Sequence, residues 1–292
     1  MSSPQIPNSK DSELKFFHGN AKLPDNIIHF SLPSGYTCTK CADTCLTYAN
    51  PNNGQVKTGK HTSFYCYSAM MEATYPSVRK ARWENYNRLQ RKTSKEMVKL
   101  IVESLVPYLW EYSSNHGQLP IVRIHVGGEF FSPDYFEAWC SVINRLPFIK
   151  FYAFTKALDI WTSNIESIPH NLNLTASMGG KFDDLVPEFG LKYNRVVYSK
   201  EEAERHQLPI DHDDWYAHSS NLSFATLLHG VQPKGSKAAA ALKLLKSEGF
   251  KGYGKASQKI PPATIVKQFD SSNQHLKSDG LSRLLETTHS KN

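Results

Sequence analysis

The chain has 292 residues, 40% hydrophobic and 12% aromatic, which excludes a disordered or fibrous protein and lies near the upper limit for one hydrophobic core. Lysine and arginine number 34 against 27 acidic residues, a formal net charge of +7. That excess is compatible with a nucleic-acid or nucleotide partner and equally with an ordinary surface, and no apolar run is long enough to span a bilayer.

In chain order, residues 1–25 read as an N-terminal extension. Its start, "MSSPQIPNSKDSELKFF", is polar and lacks the apolar stretch of a secretory signal, so the cytoplasm is the expected compartment. "NIIHFSLP" (26–33) is a short β-rich run that opens an α/β domain over 26–255. Residues 34–66 are rich in Cys, Thr, Gly, Asn and Pro and read as one long ordered loop, a type that usually has a function or a metal to order it. Residues 68–90 and 94–116 are predicted helices, with Trp83, Tyr86, Leu89 and then Met97, Leu100, Ile101, Leu105 at helical spacing.

"LPIVRIHVGGEFF" (119–131) is a buried strand entering a Gly-Gly turn, and Ser132-Pro133-Asp134 starts the next helix. Strands follow at 148–157, 171–180 and 194–199, with helices at "LDIWTSNIESI" and 200–207 between and after them. Beyond about residue 208 the order loosens, apart from the helix "SKAAAALKLLKSEGF", and 256–292 reads as a flexible C-terminal tail. Repeated strand-helix-strand order implies a parallel sheet, either doubly wound and open or closed into a full or partial barrel.

Four of the five cysteines fall between 38 and 66, as C-x2-C-x3-C-x20-C. In a reducing compartment such thiols point to a shared soft metal rather than to disulfides. A closed zinc site would take Cys38, Cys41, Cys45 and Cys66, or three of them with His61. An iron–sulfur cluster would take three or four thiols. The spacing alone does not choose. Cys140, among apolar helix neighbours, reads as core.

Gly127, Gly128 and Glu129 end a strand where α/β folds bind ligands, and offer close backbone approach plus a carboxylate. Lys156 and Ser177 fall at the same rim if the sheet is parallel. Arg123 and His125 are expected on one strand face, His125 as a buried hydrogen-bonded ring. His212, Asp213, Asp214 and His218 read as a polar loop, and Ser236 as a helix N-cap.

First strand, cysteine loop, helix, and a second strand ending in Gly-Gly-Glu resembles the layout of radical S-adenosylmethionine proteins. "FYCYSA", around Cys66, resembles the aromatic-Cys-aromatic end of their cluster motif. The usual loop there is C-x3-C-x2-C; here the spacings are reversed and about twenty residues precede Cys66. The resemblance implies a partial (β/α) barrel with the cysteine loop after the first strand. It also implies a [4Fe-4S] cluster on three cysteines and S-adenosylmethionine whose amino group meets the Gly-Gly-Glu segment.

A narrower resemblance covers about residues 28–254: "FSLPSGYTC", "YPSVRKARWENY", "RIHVGGEFFSPDYFEAW", "FYAFTKAL", "NLTASMGG" and "LLHGVQPKGSKAAAAL" are similar to the phage gene product 88 family. It implies a phage origin, hence a host cytoplasm, and an α/β fold, but no substrate. In that family the positions of Cys38, Cys45 and Cys66 recur, which favours these as ligands and leaves Cys41 spare. The expectation is a phage protein that binds a cluster and S-adenosylmethionine for radical chemistry on an unknown substrate. The alternative is a zinc-stabilised binding protein for nucleic acid or a host partner.

Overall fold

The computed structural model describes residues 13–40 and 45–253. Cys41 and the tail expected over 256–292 lie outside the described residues. Six strands run parallel and neighbour one another in chain order: β2 (Ile27–His29), β5 (Ile121–Ile124), β6 (Lys150–Thr155), β7 (Leu172–Ser177), β8 (Tyr193–Val197) and β9 (Phe224–Leu227). β1 (Phe17–His18) pairs antiparallel with the free edge of β2. No strand pairing joins β1 to β9 among the described residues, so the sheet is open.

Strand order never reverses, so right-handed crossovers put the connecting helices on one face. α3 (Ser94–His116), α4 (Pro133–Arg145) and α5 (Leu158–Ser163) pack there, against Ile28, Val122, Ile124, Phe151, Ala153 and Leu174. The alternation along β6 is plain: Phe151 and Ala153 join that core, while Tyr152 belongs to a second cluster on the opposite face. α3 starts on a capping box, Thr93 with Glu96, and ends on Gly117 in the left-handed conformation. α4 starts on Ser132 with Pro133 in its first turn, as the sequence predicts. Cys140 lies in the helix-side core.

Four features differ from the sequence reading. The predicted helix over 68–90 is two, α1 (Tyr67–Thr74) and α2 (Pro76–Leu89), because Tyr75 is held extended by the proline after it. The long loop contains a hairpin, β3 (Thr47–Ala49) with β4 (Val56–Thr58). Residues assigned to an N-terminal extension supply β1 and the buried Leu14, Phe16 and Leu23. The stretch after 208 is ordered too. α8 (Trp215–Ser219) packs Ala217 and Tyr216 beside Tyr152 and Phe224 under the open face of the sheet, and β9 adds a strand. Short α6 (Leu185–Glu188) and α7 (Lys200–Arg205) flank β8, and α9 (Lys237–Ser247) follows β9, capped by Ser236 as expected. No helix among the described residues is long and apolar enough to cross a membrane.

Candidate functional site

A cavity of about 750 Å³ lies on the open face of the sheet. Arg123, Phe154, Lys156, Ser177, Asn194 and Thr226 line it, from or just beyond five successive parallel strands. Cys38, Cys45 and Cys66 border it together with Gly127, Gly128 and Glu129. The rim thus forms at the C-terminal ends of the strands, where α/β folds place their ligands.

Each thiol arrives from a different piece of chain. Gly35 donates its N–H to Cys38 Sγ at 3.3 Å. Cys45 Sγ faces the Gly179 carbonyl at 3.9 Å, just past β7. Cys66 is the N-cap residue of α1, and its N–H donates to Thr47 Oγ1 of the hairpin at 3.3 Å. The loop is pinned between them: Lys181 donates its N–H to the Lys40 carbonyl, and Lys40 Nζ pairs with Asp159 at 2.6 Å. Burial pushes the Cys66 thiol up to about 11, opposed by the Ala69 amide and reinforced by Cys38 and Cys45.

No three His, Cys, Asp or Glu side chains among the described residues converge tightly enough to hold one metal ion. His61 is exposed and is not in the cavity wall. A single tetrahedral ion needs every thiolate at about 2.3 Å. The cysteines of a four-iron cluster bind different irons and stand further apart.

The glycine pair has two separate causes. Gly128 has φ +88°, and a Cβ there would fall 2.6 Å from Leu32 Cβ. A Cβ on Gly127 would fall 2.1 Å from Ser68 Oγ and 2.5 Å from Arg82 Nη1. That guanidinium is buried beneath the turn and donates to Glu72 Oε1 at 2.7 Å and to the Ser68 carbonyl at 3.0 Å. Helices α1 and α2 thereby brace the turn.

Glu129 is buried at the rim. Its Oε1 accepts from the Phe130 N–H (2.8 Å) and Thr155 Oγ1 (2.7 Å), and Oε2 accepts from the Lys156 N–H (2.6 Å). Burial raises its pKa while these donors pull it back. A carboxylate has about four acceptor positions, so these donors leave one position on Oε2 unused. Lys156 is more committed than the sequence suggests. Its ammonium donates to the Ser177 carbonyl (2.6 Å), Ser177 Oγ (3.0 Å) and the Met178 carbonyl (2.6 Å), which uses all three of its protons. Lys156 and Ser177 lock β6 to β7 and present charge, not free donors.

His125 and Arg123 part company. His125 has φ +64°, which turns its ring into the aromatic core against Phe130, with one ring nitrogen 3.0 Å from Tyr135 Oη. Burial pulls it down to about 3, so it is neutral. Arg123 pairs instead with Asp214, which also accepts from Lys22 Nζ (2.5 Å) and Tyr152 Oη (3.0 Å). Burial works to raise the Asp214 carboxyl, and the Arg123 and Lys22 charges overcome it and hold it well below the usual range. Asp211 donates nothing but accepts the Asp214 N–H at 2.8 Å. The segment read as a polar loop thus closes the cavity floor. The sequence signal for it was weak: four polar residues around a tryptophan, with their partners far away in the chain.

The side chains also bridge the open sheet. Tyr65 donates its N–H to Gln232 Oε1 at 2.9 Å, and the Tyr67 and His229 rings lie 4.9 Å apart.

Fold and site together define an α/β protein with a mostly parallel sheet and a thiol-bordered cavity at the strand ends. The chain belongs to the Gene product 88 family, whose profile matches residues 8–246. Over 91 residues it is 29% identical to the Gene 88 protein of Mycobacterium phage L5 and 28% identical to that of Mycobacterium phage D29. Each match covers 31% of this chain and 38% of the relative, so the chain spans well under half the length of these curated relatives. No solved structure matches it.

Proposed function

We propose that the rim holds a [4Fe-4S] cluster on Cys38, Cys45 and Cys66, with S-adenosylmethionine beside it, and that the protein is an enzyme acting by radical chemistry on a substrate in the cavity. One observation carries this reading: three thiols from separated chain segments border the same cavity as Gly127, Gly128 and Glu129. Unreversed strand order and the Tyr65–Gln232 and Tyr67–His229 bridges support a sheet curled into a partial barrel.

When bound, the cluster would supply one electron to S-adenosylmethionine. The chain's own residues orient and shield. Gly127 and Gly128 let the turn pack against Leu32, Ser68 and Arg82, which holds the strand end firm where the cofactor would lie. Glu129 Oε2 accepts from its ammonium. The Lys156–Ser177 lock fixes the strand ends beneath it, and Phe154, Val196 and Leu228 keep the walls apolar. The three thiols give up their protons on binding metal.

Iron and sulfide analysis of protein purified without oxygen tests this. Iron with matching sulfide, and absorbance near about 400 nm, is the expected result. Alanine at Cys38, Cys45 or Cys66 should abolish both, whereas Cys41→Ala should keep them. One zinc per chain without sulfide, lost in Cys41→Ala, would instead indicate the closed zinc site of a binding protein.

A further inference from the structure

A second concavity, of about 560 Å³, adjoins the cavity, and His229 belongs to both walls. Its remaining wall comes from Gly230–Gln232 after β9, one side of α9, and Lys251–Gly252. Lys243, Lys246 and Lys251 line it, and among the described residues no acidic one does. Lys243 and Lys246 are three apart on α9 and so project to one side, while Leu242 and Leu245 are buried. All three lysines are exposed, and none makes an ion pair among the described residues. Three ammonium groups around one concavity repel one another and attract an anion. Compact, strongly hydrated lysine charges suit phosphate.

The wall that the two hollows share is aromatic. His229 sits between Tyr67 (ring centroids 4.9 Å apart) and Tyr253 (4.7 Å). Its Nδ1 donates to the Leu227 carbonyl at 3.0 Å, which leaves Nε2 of the neutral ring as an acceptor. Burial pulls this ring down to about 4, so it carries no charge at neutral pH. Phosphate-binding lysines beside aromatic rings are the elements by which proteins hold a nucleic-acid backbone and stack a base. An unpaired base can reach such rings; a base inside a duplex cannot.

We infer that Lys243, Lys246 and Lys251 bind the backbone phosphates of a single-stranded nucleic acid, and that one nucleotide enters the main cavity past Tyr67, His229 and Tyr253. The phosphate site stands on its own geometry; the entering nucleotide as substrate rests on the enzyme reading above.

The test uses the full-length chain and the fluorescence anisotropy of a labelled 20-nucleotide single-stranded RNA and its DNA equivalent. K243E/K246E/K251E should weaken binding at least about tenfold and lower the log–log salt slope by about 2, at roughly 0.7 per phosphate. K57E/K95E/K99E, the same charge change elsewhere, should leave both unchanged. Equal loss in the two triples would reduce the effect to net charge and overturn the site, as would no binding by the unaltered chain. Duplex binding as tight as single-strand binding would overturn the strand assignment. Binding measured on C38A/C45A/C66A should persist, which separates this site from the metal reading. RNA carrying 4-thiouridine should crosslink to the peptide spanning Leu227–Tyr253. Crosslinks confined to other regions would overturn the entry path.

Discussion

The floor and the rim of the cavity are both polar, but in opposite senses. At the floor, charge is matched by charge. Asp214 faces Arg123 and Lys22 and takes a hydroxyl from Tyr152, all beneath α8. At the rim, three thiols border open space, and Glu129 keeps one acceptor position free. A buried charge network whose members satisfy one another holds a fold together and offers little to a ligand. Groups with unused capacity at strand ends are what a ligand can use. On the proposed reading the floor serves structure and the rim chemistry, and three measurements can break or sharpen that contrast.

The largest effect should come from Asp214→Ala. It strands Arg123 in a buried site and leaves Lys22 with its longer ion pair to Asp211 (3.5 Å), and breaking a buried pair from one side costs about 3–5 kcal/mol. Urea unfolding should show that loss, against little change in any metal bound at the rim. A loss below about 1 kcal/mol would mean water reaches the floor and relieves the stranded charge.

The floor was also the part least legible in the sequence. Its members lie far apart: Arg123 and Asp214 are separated by 91 residues, and Lys22 and Asp214 by 192. No local pattern encodes such a pair. β9 escaped for a related reason. "FATL" is four residues, all buried, between polar turns, too short for periodicity to speak. α3 and α4 were legible because their apolar positions repeat over several turns, and the start of α4 is written in Ser132 and Pro133. At the rim, residue type alone was enough. Cysteines spaced closely and a Gly-Gly-Glu turn mark a place without any knowledge of contacts. What residue type could not give was commitment: Lys156 and Ser177 were visible as rim residues, but not that they spend their hydrogen bonds on each other.

Acid should attack the floor next. His29 lies opposite Arg123 in the β2–β5 register, and the His218 ring lies 5.4 Å from that of Tyr152. Burial pulls both down to about 4. The unfolded chain, with histidine near about 6.5, binds more protons than the folded one between those values. Stability is therefore complete above about pH 6.5 and falls as pH drops toward 4. Asp211, raised by burial, opposes this in part. By pH 4.5 the two histidines together should cost roughly 3 kcal/mol, after discounting for the partial exposure of His218. Urea midpoints at pH 7 and 4.5 measure it. A His29→Gln, His218→Gln variant should lose that share of the dependence and keep the share of His125 and His229, which burial also pulls down; an unchanged slope in the variant would place the acid sensitivity outside the floor.

The smallest effect should come from the rim, and its smallness is what matters. Cys66 occupies the N-cap position of α1, yet its side chain makes no capping hydrogen bond. Replacing it by alanine removes one sulfur from a cavity wall, together with its weak interaction with the Ala69 and Ser68 amides. The cost should be below about 1 kcal/mol, the lower part of the range for losing a cap or a small buried group. The same thiol is pushed up to about 11 by burial, so it is protonated at neutral pH and must release that proton to any metal it binds. Anaerobic iron–sulfur reconstitution in weakly buffered solution should therefore release fewer protons per chain with Cys66→Ala than with the unaltered protein, while urea stability of the two metal-free chains stays nearly equal. If the metal-free variant instead loses several kcal/mol, Cys66 is a packing residue like Cys140, and the rim belongs with the floor as structure.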